Sequence, residues 1–115
     1  MYIVTPEYTS AGQMIFRENT AHLIRNRRVL VLAASVTTGG TVQSAIQTIH
    51  YYGGACLGAC SIFSCLEECA GIPITTIFRS EQLEGYMCLP ASQCPLCKSG
   101  VKLDALVNSY GISSF

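Results

Sequence analysis

With 115 residues, the chain is long enough for one domain built on a single core and too short for two. Half of its residues are hydrophobic, only 12% are charged and the formal net charge is zero, so it lacks the electrostatic footprint that nucleic acid or an anionic membrane surface requires. Seven cysteines behind an N-terminus with neither the basic nor the apolar segment of a secretory signal point to a reducing cytoplasm and to unlinked thiols.

Short apolar runs at residues 2–4 and 14–16 flank a polar stretch at 5–13, which reads as a hairpin with a long connection. Arg25, Arg27 and Arg28 form the one basic cluster and read as a solvated turn. From Val29 to Leu66 there is then no Asp, Glu, Lys or Arg. Glycines at 39–40 and 53–54 break this stretch well short of the ~18 apolar residues of a membrane span, so it reads as protein interior. Residues 29–34, VLVLAA, are apolar without alternation, as in a parallel strand covered on both faces. Val42, Ala45, Ile46 and Ile49 recur at helical spacing, predicting a helix from Thr41 to about Tyr52 that Gly53 and Gly54 stop. Residues 55–63, ACLGACSIF, form a second apolar strand joined to the first by a right-handed crossover. A helical turn at 64–70, a turn at 71–73 and a third strand at 74–78 follow. The fold class is α/β, a parallel sheet with flanking helices in a single domain over 1–115. Residues 80–115 form an appendage with a short helical pattern at 102–107.

Between the first apolar strand and the helix lies VTTGGT, residues 36–41. A helix that opens at the carboxyl end of a strand presents amides without internal partners and a partial positive charge, which suits an anion. Gly39 and Gly40 would allow close backbone approach, and Thr37, Thr38 and Thr41 supply hydroxyl donors, so these five residues are the candidate phosphate-binding site. The alternative is an ordinary glycine turn with a threonine cap. No lysine precedes Lys98, which excludes the GxxxxGK[ST] phosphate loop, and GxGxxG is absent.

The run VLVLAASVTTGGTVQSAIQTIHYYGGACLGACSIF resembles the signature of type I phosphoribosyltransferases, in which a hydrophobic strand leads through an acidic pair into a TTGGT-like turn and helix. CPLCKSGVKL, residues 94–103, is similar to the tail of some bacterial orotate phosphoribosyltransferases. The resemblance implies a partial type I phosphoribosyltransferase-like, Rossmann-like fold. It also implies transfer of ribose 5-phosphate from phosphoribosyl pyrophosphate to a nucleobase such as orotate, with Mg2+, in pyrimidine nucleotide synthesis. Thr37, Thr38, Gly39, Gly40 and Thr41 would hold the 5-phosphate, and residues 2–16 would correspond to the strand pair carrying the mobile catalytic loop.

The chain departs from that pattern at three points. The acidic pair falls on Ala33 and Ala34; hydrogen bonds to charged groups contribute roughly 1.5–3 kcal/mol each, so losing two weakens donor binding by ~10² to 10⁴. Residues 5–13 contain no Lys, Arg or His to face a departing pyrophosphate. The family's first strands would precede Met1, leaving half a sheet whose bare faces predict association, as a homodimer or with a separate N-terminal piece. Catalytic residues are therefore left unassigned, and a non-catalytic phosphometabolite-binding or protein-interaction module stands as the alternative.

Cys88, Cys94 and Cys97 offer a zinc site only three ligands, with Cys60, Cys65 or Cys69 as a fourth; free thiols are the simpler reading, so no metal site is assigned, and a redox dithiol is the third. Cys56 and Cys60 read as small core residues. His22 and His50 show no partner for nucleophilic catalysis, and His50 suits the C-terminal end of its helix.

Overall fold

The computed structural model describes residues 1–108 and 110–115. Its centre is the predicted strand, helix, strand unit: β3 (Arg28–Val36), α2 (Gly40–Tyr51) and β4 (Ala55–Ser64). It is preceded by β1 (Glu7–Tyr8), β2 (Met14–Ile15) and the single turn α1 (Glu18–Ala21), and followed by β5 (Glu68–Cys69) and β6 (Ile72–Arg79). β3 and β4 run parallel, β4 and β6 run parallel, and β5 adds antiparallel to β6, giving the order β3-β4-β6-β5. The fold is therefore α/β, compatible with a Rossmann-like arrangement, but its sheet is mixed where an all-parallel one was expected.

The core forms because α2 turns Val42, Ala45, Ile46 and Ile49 onto one face of the sheet. There they meet Cys56, Ala59 and Ile74, with Val29, Val31 and Ala33 partly buried around them and Phe16 and Ile24 closing one end. Gly54 is required at that end, since a Cβ there would stand 2.8 Å from Ile24 Cγ2, 2.9 Å from Ile49 Cγ2 and 3.0 Å from the Ile24 carbonyl oxygen.

The opposite face of the sheet is bare, which corrects the expectation that these strands are covered on both sides. Leu32 is 72% exposed and Ile77 70%, with Leu30, Ala34 and Ile62 also open to solvent. The physical reason lies in the return from β4 to β6. Parallel neighbours are usually joined by a dozen or more residues containing a helix, whereas residues 65–71 make this return and place β5 at the sheet edge, so they supply no covering helix.

Three further expectations change. The predicted helical turn at 64–70 and turn at 71–73 are replaced by β5 and the start of β6. Ala70 (φ 51°) and Gly71 (φ 75°) both adopt positive φ between the paired residues Cys69 and Ile72, the signature of a tight hairpin turn. The first hairpin pairs Glu7 with Ile15 and Tyr8 with Met14, so residues 2–4 lie outside it and its connection is short. Gly12 N–H donates to the Thr9 carbonyl (2.8 Å) and Thr9 N–H to the Gln13 carbonyl (2.9 Å), closing that connection.

Beyond β6, α3 (Pro95–Lys98) is a single turn, and β7 (Ala105–Asn108) pairs antiparallel with β8 (Gly111–Ser114). The helix expected at 102–107 is thus replaced by irregular chain at 102–104 and strand at 105–107. Leu103, Leu106 and Val107 satisfy helical spacing, but Leu106 and Val107 find partners in Ser113 and Ile112, a pairing invisible to local periodicity. Among the described residues, none of the buried hydrophobic side chains lies beyond Ile74. No helix among them is long and apolar enough to cross a membrane.

Candidate functional site

β3 ends at Val36, which is fully enclosed, and the chain emerges at Thr37 and Thr38, both exposed. Gly39 then takes the left-handed conformation (φ 83°, ψ 0°) and α2 begins at Gly40, one residue earlier than its apolar periodicity indicates. No side chain caps the helix, so the threonine-cap alternative does not describe this turn. The first turn of a helix has no internal acceptors for its amides. Among the described residues, the N–H groups of Gly40, Thr41 and Val42 find none elsewhere in the chain either.

The two glycines have different tasks. A Cβ on Gly39 would sit 2.8 Å from Leu66 Cδ1 and 3.3 Å from Cys69 Sγ, so this residue is bare to receive the β4–β5 connection. Its carbonyl accepts from Gln43 N–H at 2.8 Å and from the Cys69 thiol at 3.6 Å. Gly40 faces open space, with Thr38 Oγ1 the nearest atom at 3.9 Å, and Gly40 and Thr41 are exposed. Of the two glycines, only Gly40 leaves its backbone open to approach from outside the chain.

The wall opposite the threonines was not read from the sequence. Thr37 and Thr38 border a concavity of about 420 Å³ whose other sides are Cys65, Leu66, Cys88, Leu89 and Pro90. Ser64 shapes this wall: its hydroxyl donates to the Leu66 carbonyl (2.7 Å) and accepts the Leu66 N–H (3.0 Å), turning the chain over Gly39. Tyr86 packs edge-to-face on Phe63 with ring centroids 4.9 Å apart. Burial first, then a hydrogen bond to Cys65 and the neighbouring Cys65 and Cys88 sulfurs, hold its hydroxyl above the ordinary value.

Register places one cation at the same edge. Val36 is level with Ser64, and Ser64 with Arg79, so Arg79 stands at the carboxyl end of the sheet, two strands from the end of β3. Its Nη1 lies 3.2 Å from Glu67 Oε1, and its backbone N–H donates to Gln82 Oε1 at 2.8 Å. The sequence signal for Arg79 was its position directly after the third apolar run.

Ala33 turns toward the core and Ala34 to the bare face, and neither can accept a hydrogen bond from a ribose or coordinate a cation. Mg2+ needs oxygen ligands at near-ideal octahedral positions. The two alanine methyl groups at 33 and 34 do not fit such an ion. Cys88 is brought to Cys65 and Tyr86, and among the described residues no three potential ligands converge as a metal centre.

No family model matches this chain. Over 81 residues it is 33% identical to the orotate phosphoribosyltransferase of Caldanaerobacter subterraneus subsp. tengcongensis, an alignment spanning 69% of this chain and 40% of that protein. The match is partial, and it indicates a phosphoribosyltransferase-like relationship for the part of the chain it covers. The chain spans about two fifths of its relative's length.

Proposed function

We propose that the turn from Thr37 to Thr41 binds the phosphate of ribose 5-phosphate or phosphoribosyl pyrophosphate, in a phosphoribosyltransferase-like protein of the orotate type. The observation that carries this reading is the set of unpartnered amides at Gly40, Thr41 and Val42 beside three threonine hydroxyls at the carboxyl end of β3. In that arrangement the amides and hydroxyls would donate to phosphate oxygens. Arg79 at the same edge would add charge once its pairing to Glu67 is exchanged for the ligand. The relative's name, orotate phosphoribosyltransferase, supplies the substrate class.

Ala33, Ala34 and the charge-poor hairpin connection favour a second reading, in which the chain holds the phosphorylated ligand without performing transfer by itself. Titration calorimetry with phosphoribosyl pyrophosphate and ribose 5-phosphate, with ribose as the unphosphorylated control, tests binding. Saturable heats with both phosphorylated ligands and none with ribose are expected; silence at millimolar concentration would reject the site. Formation of orotidine monophosphate by the chain alone would reject the non-catalytic reading. The bare sheet face belongs to this proposal as the surface covered by a second copy or an N-terminal piece. Sedimentation of the purified chain as a monomer would remove the first of these partners.

A further inference from the structure

We infer that Cys94 and Cys97 form a thiol–disulfide exchange centre in which Cys94 attacks and Cys97 resolves. This inference is independent of the phosphate turn and would survive its failure.

The argument starts from CPLC. Pro95 cannot donate a backbone hydrogen bond and has its φ set for a helical start, so the chain enters α3 directly after Cys94. One turn later, side chains three positions apart share a face, which brings Cys97 back over Cys94. The turn is closed by Lys98 N–H on the Cys94 carbonyl (3.1 Å) and Ser99 N–H on the Pro95 carbonyl (3.0 Å). Cys94 Sγ accepts the Cys97 backbone N–H at 3.4 Å. Cys97 donates that bond and Cys94 receives it, so the pair is asymmetric. That N–H favours negative charge on Cys94 and lowers its pKa, while the neighbouring Cys94 side chain raises that of Cys97.

The remaining cysteines are placed differently. Cys56 is buried, Cys60 is half-buried within β4, Cys69 spends its proton on the Gly39 carbonyl, and Cys65 and Cys88 sit beside the Tyr86 hydroxyl. Cys97 is exposed and Cys94 half-exposed, so a disulfide-bearing partner can reach them. No third ligand joins the pair among the described residues, which distinguishes a dithiol from a metal centre.

The oxidant is a low-molecular-weight disulfide, RSSR. The Cys94 thiolate attacks one sulfur, forming a Cys94–SR bond and breaking the R–S–S–R bond with release of one thiolate, which takes up a proton. Cys97 then gives up its proton and attacks Cys94 Sγ, forming the Cys94–Cys97 disulfide and expelling the second RSH. Two thiols are oxidised and one disulfide is reduced to two thiols.

The test is to equilibrate the full chain with stepped ratios of oxidised to reduced glutathione, quench with an alkylating agent and map all seven cysteines by peptide mass spectrometry. The Cys94–Cys97 peptide is expected to lose two hydrogens while the other cysteines are still alkylated. Cys97→Ser should trap a glutathione mixed disulfide on Cys94 at least roughly threefold faster than Cys94→Ser traps one on Cys97. Formation of a Cys65–Cys88 disulfide first, or equal trapping rates in the two variants, would overturn the assignment. Both substitutions lie outside the core, and an unchanged circular dichroism spectrum checks that the fold persists.

Discussion

Gly39→Ala isolates the geometry on which the turn depends. Two costs follow from the coordinates. The backbone at φ 83° is one that an L side chain occupies at an expense of roughly 1–2 kcal/mol. The new methyl would also stand 2.8 Å from Leu66 Cδ1 and 3.3 Å from Cys69 Sγ, a crowding that costs about 1–3 kcal/mol when neighbours shift only partly. Together a loss of about 2–5 kcal/mol is expected, a large part of the ~5–15 kcal/mol that stabilises a typical domain. The two terms separate in a double-mutant cycle with Leu66→Ala, which removes the side chain in the way but leaves the strained φ untouched. The double variant should be less destabilised than the sum of the singles by about 1 kcal/mol or more, with roughly 1–2 kcal/mol remaining from the backbone. Urea unfolding followed by circular dichroism measures all four proteins. A Gly39→Ala protein as stable as the parent would show that Gly39 is not left-handed in solution. Strict additivity with Leu66→Ala would show that the connection after β4 does not seat on the turn.

Thr37→Val and Thr38→Val preserve shape and remove one hydroxyl each from exposed positions; each should weaken ribose 5-phosphate binding roughly 10- to 10²-fold in calorimetry, with stability unchanged within about 0.5 kcal/mol. Placing acids at 33 and 34 should separate their two environments: Ala34→Asp on the bare face should leave the urea midpoint nearly unchanged, whereas Ala33→Glu puts a charge against the core and should lower stability by at least ~1–3 kcal/mol. Burial raises the Cys56 thiol above its ordinary 9.0, so the folded state holds that proton more tightly than the unfolded chain does. Its contribution is complete below pH 9.0 and is lost as pH rises toward the folded value; the fall in unfolding free energy between neutral pH and pH 10 should therefore be smaller in Cys56→Ala than in the parent, and identical slopes would count against the buried placement.

The central strand, helix, strand unit was legible because each element announces itself locally. The charge-free run at 29–34 marks a strand, the recurrence from Val42 to Ile49 a helix and the double glycine at 53–54 its end, and together they fix the position of the turn at 36–41. Its surroundings could not. Leu66 and Cys69 reach Gly39 from another part of the chain, Cys88 and Pro90 reach Thr37 from farther still, and Arg79 arrives at the same edge through strand register. The 102–107 segment shows the limit most plainly, since its apolar spacing suits a helix and a strand equally until residues 111–114 pair with it.

What the amino-acid order determines alone is therefore the local pattern: a threonine- and glycine-rich turn after an apolar strand, alanines at 33 and 34 at that strand's end, and a CPLC pair three residues apart. What only the tertiary structure decides is which of those groups are turned to one place and which face of the sheet stays bare. Both depend on how residues 65–71 return from β4 to β6, a path set by the Ala70–Gly71 turn and by pairing across the sheet that sequence-local spacing does not encode.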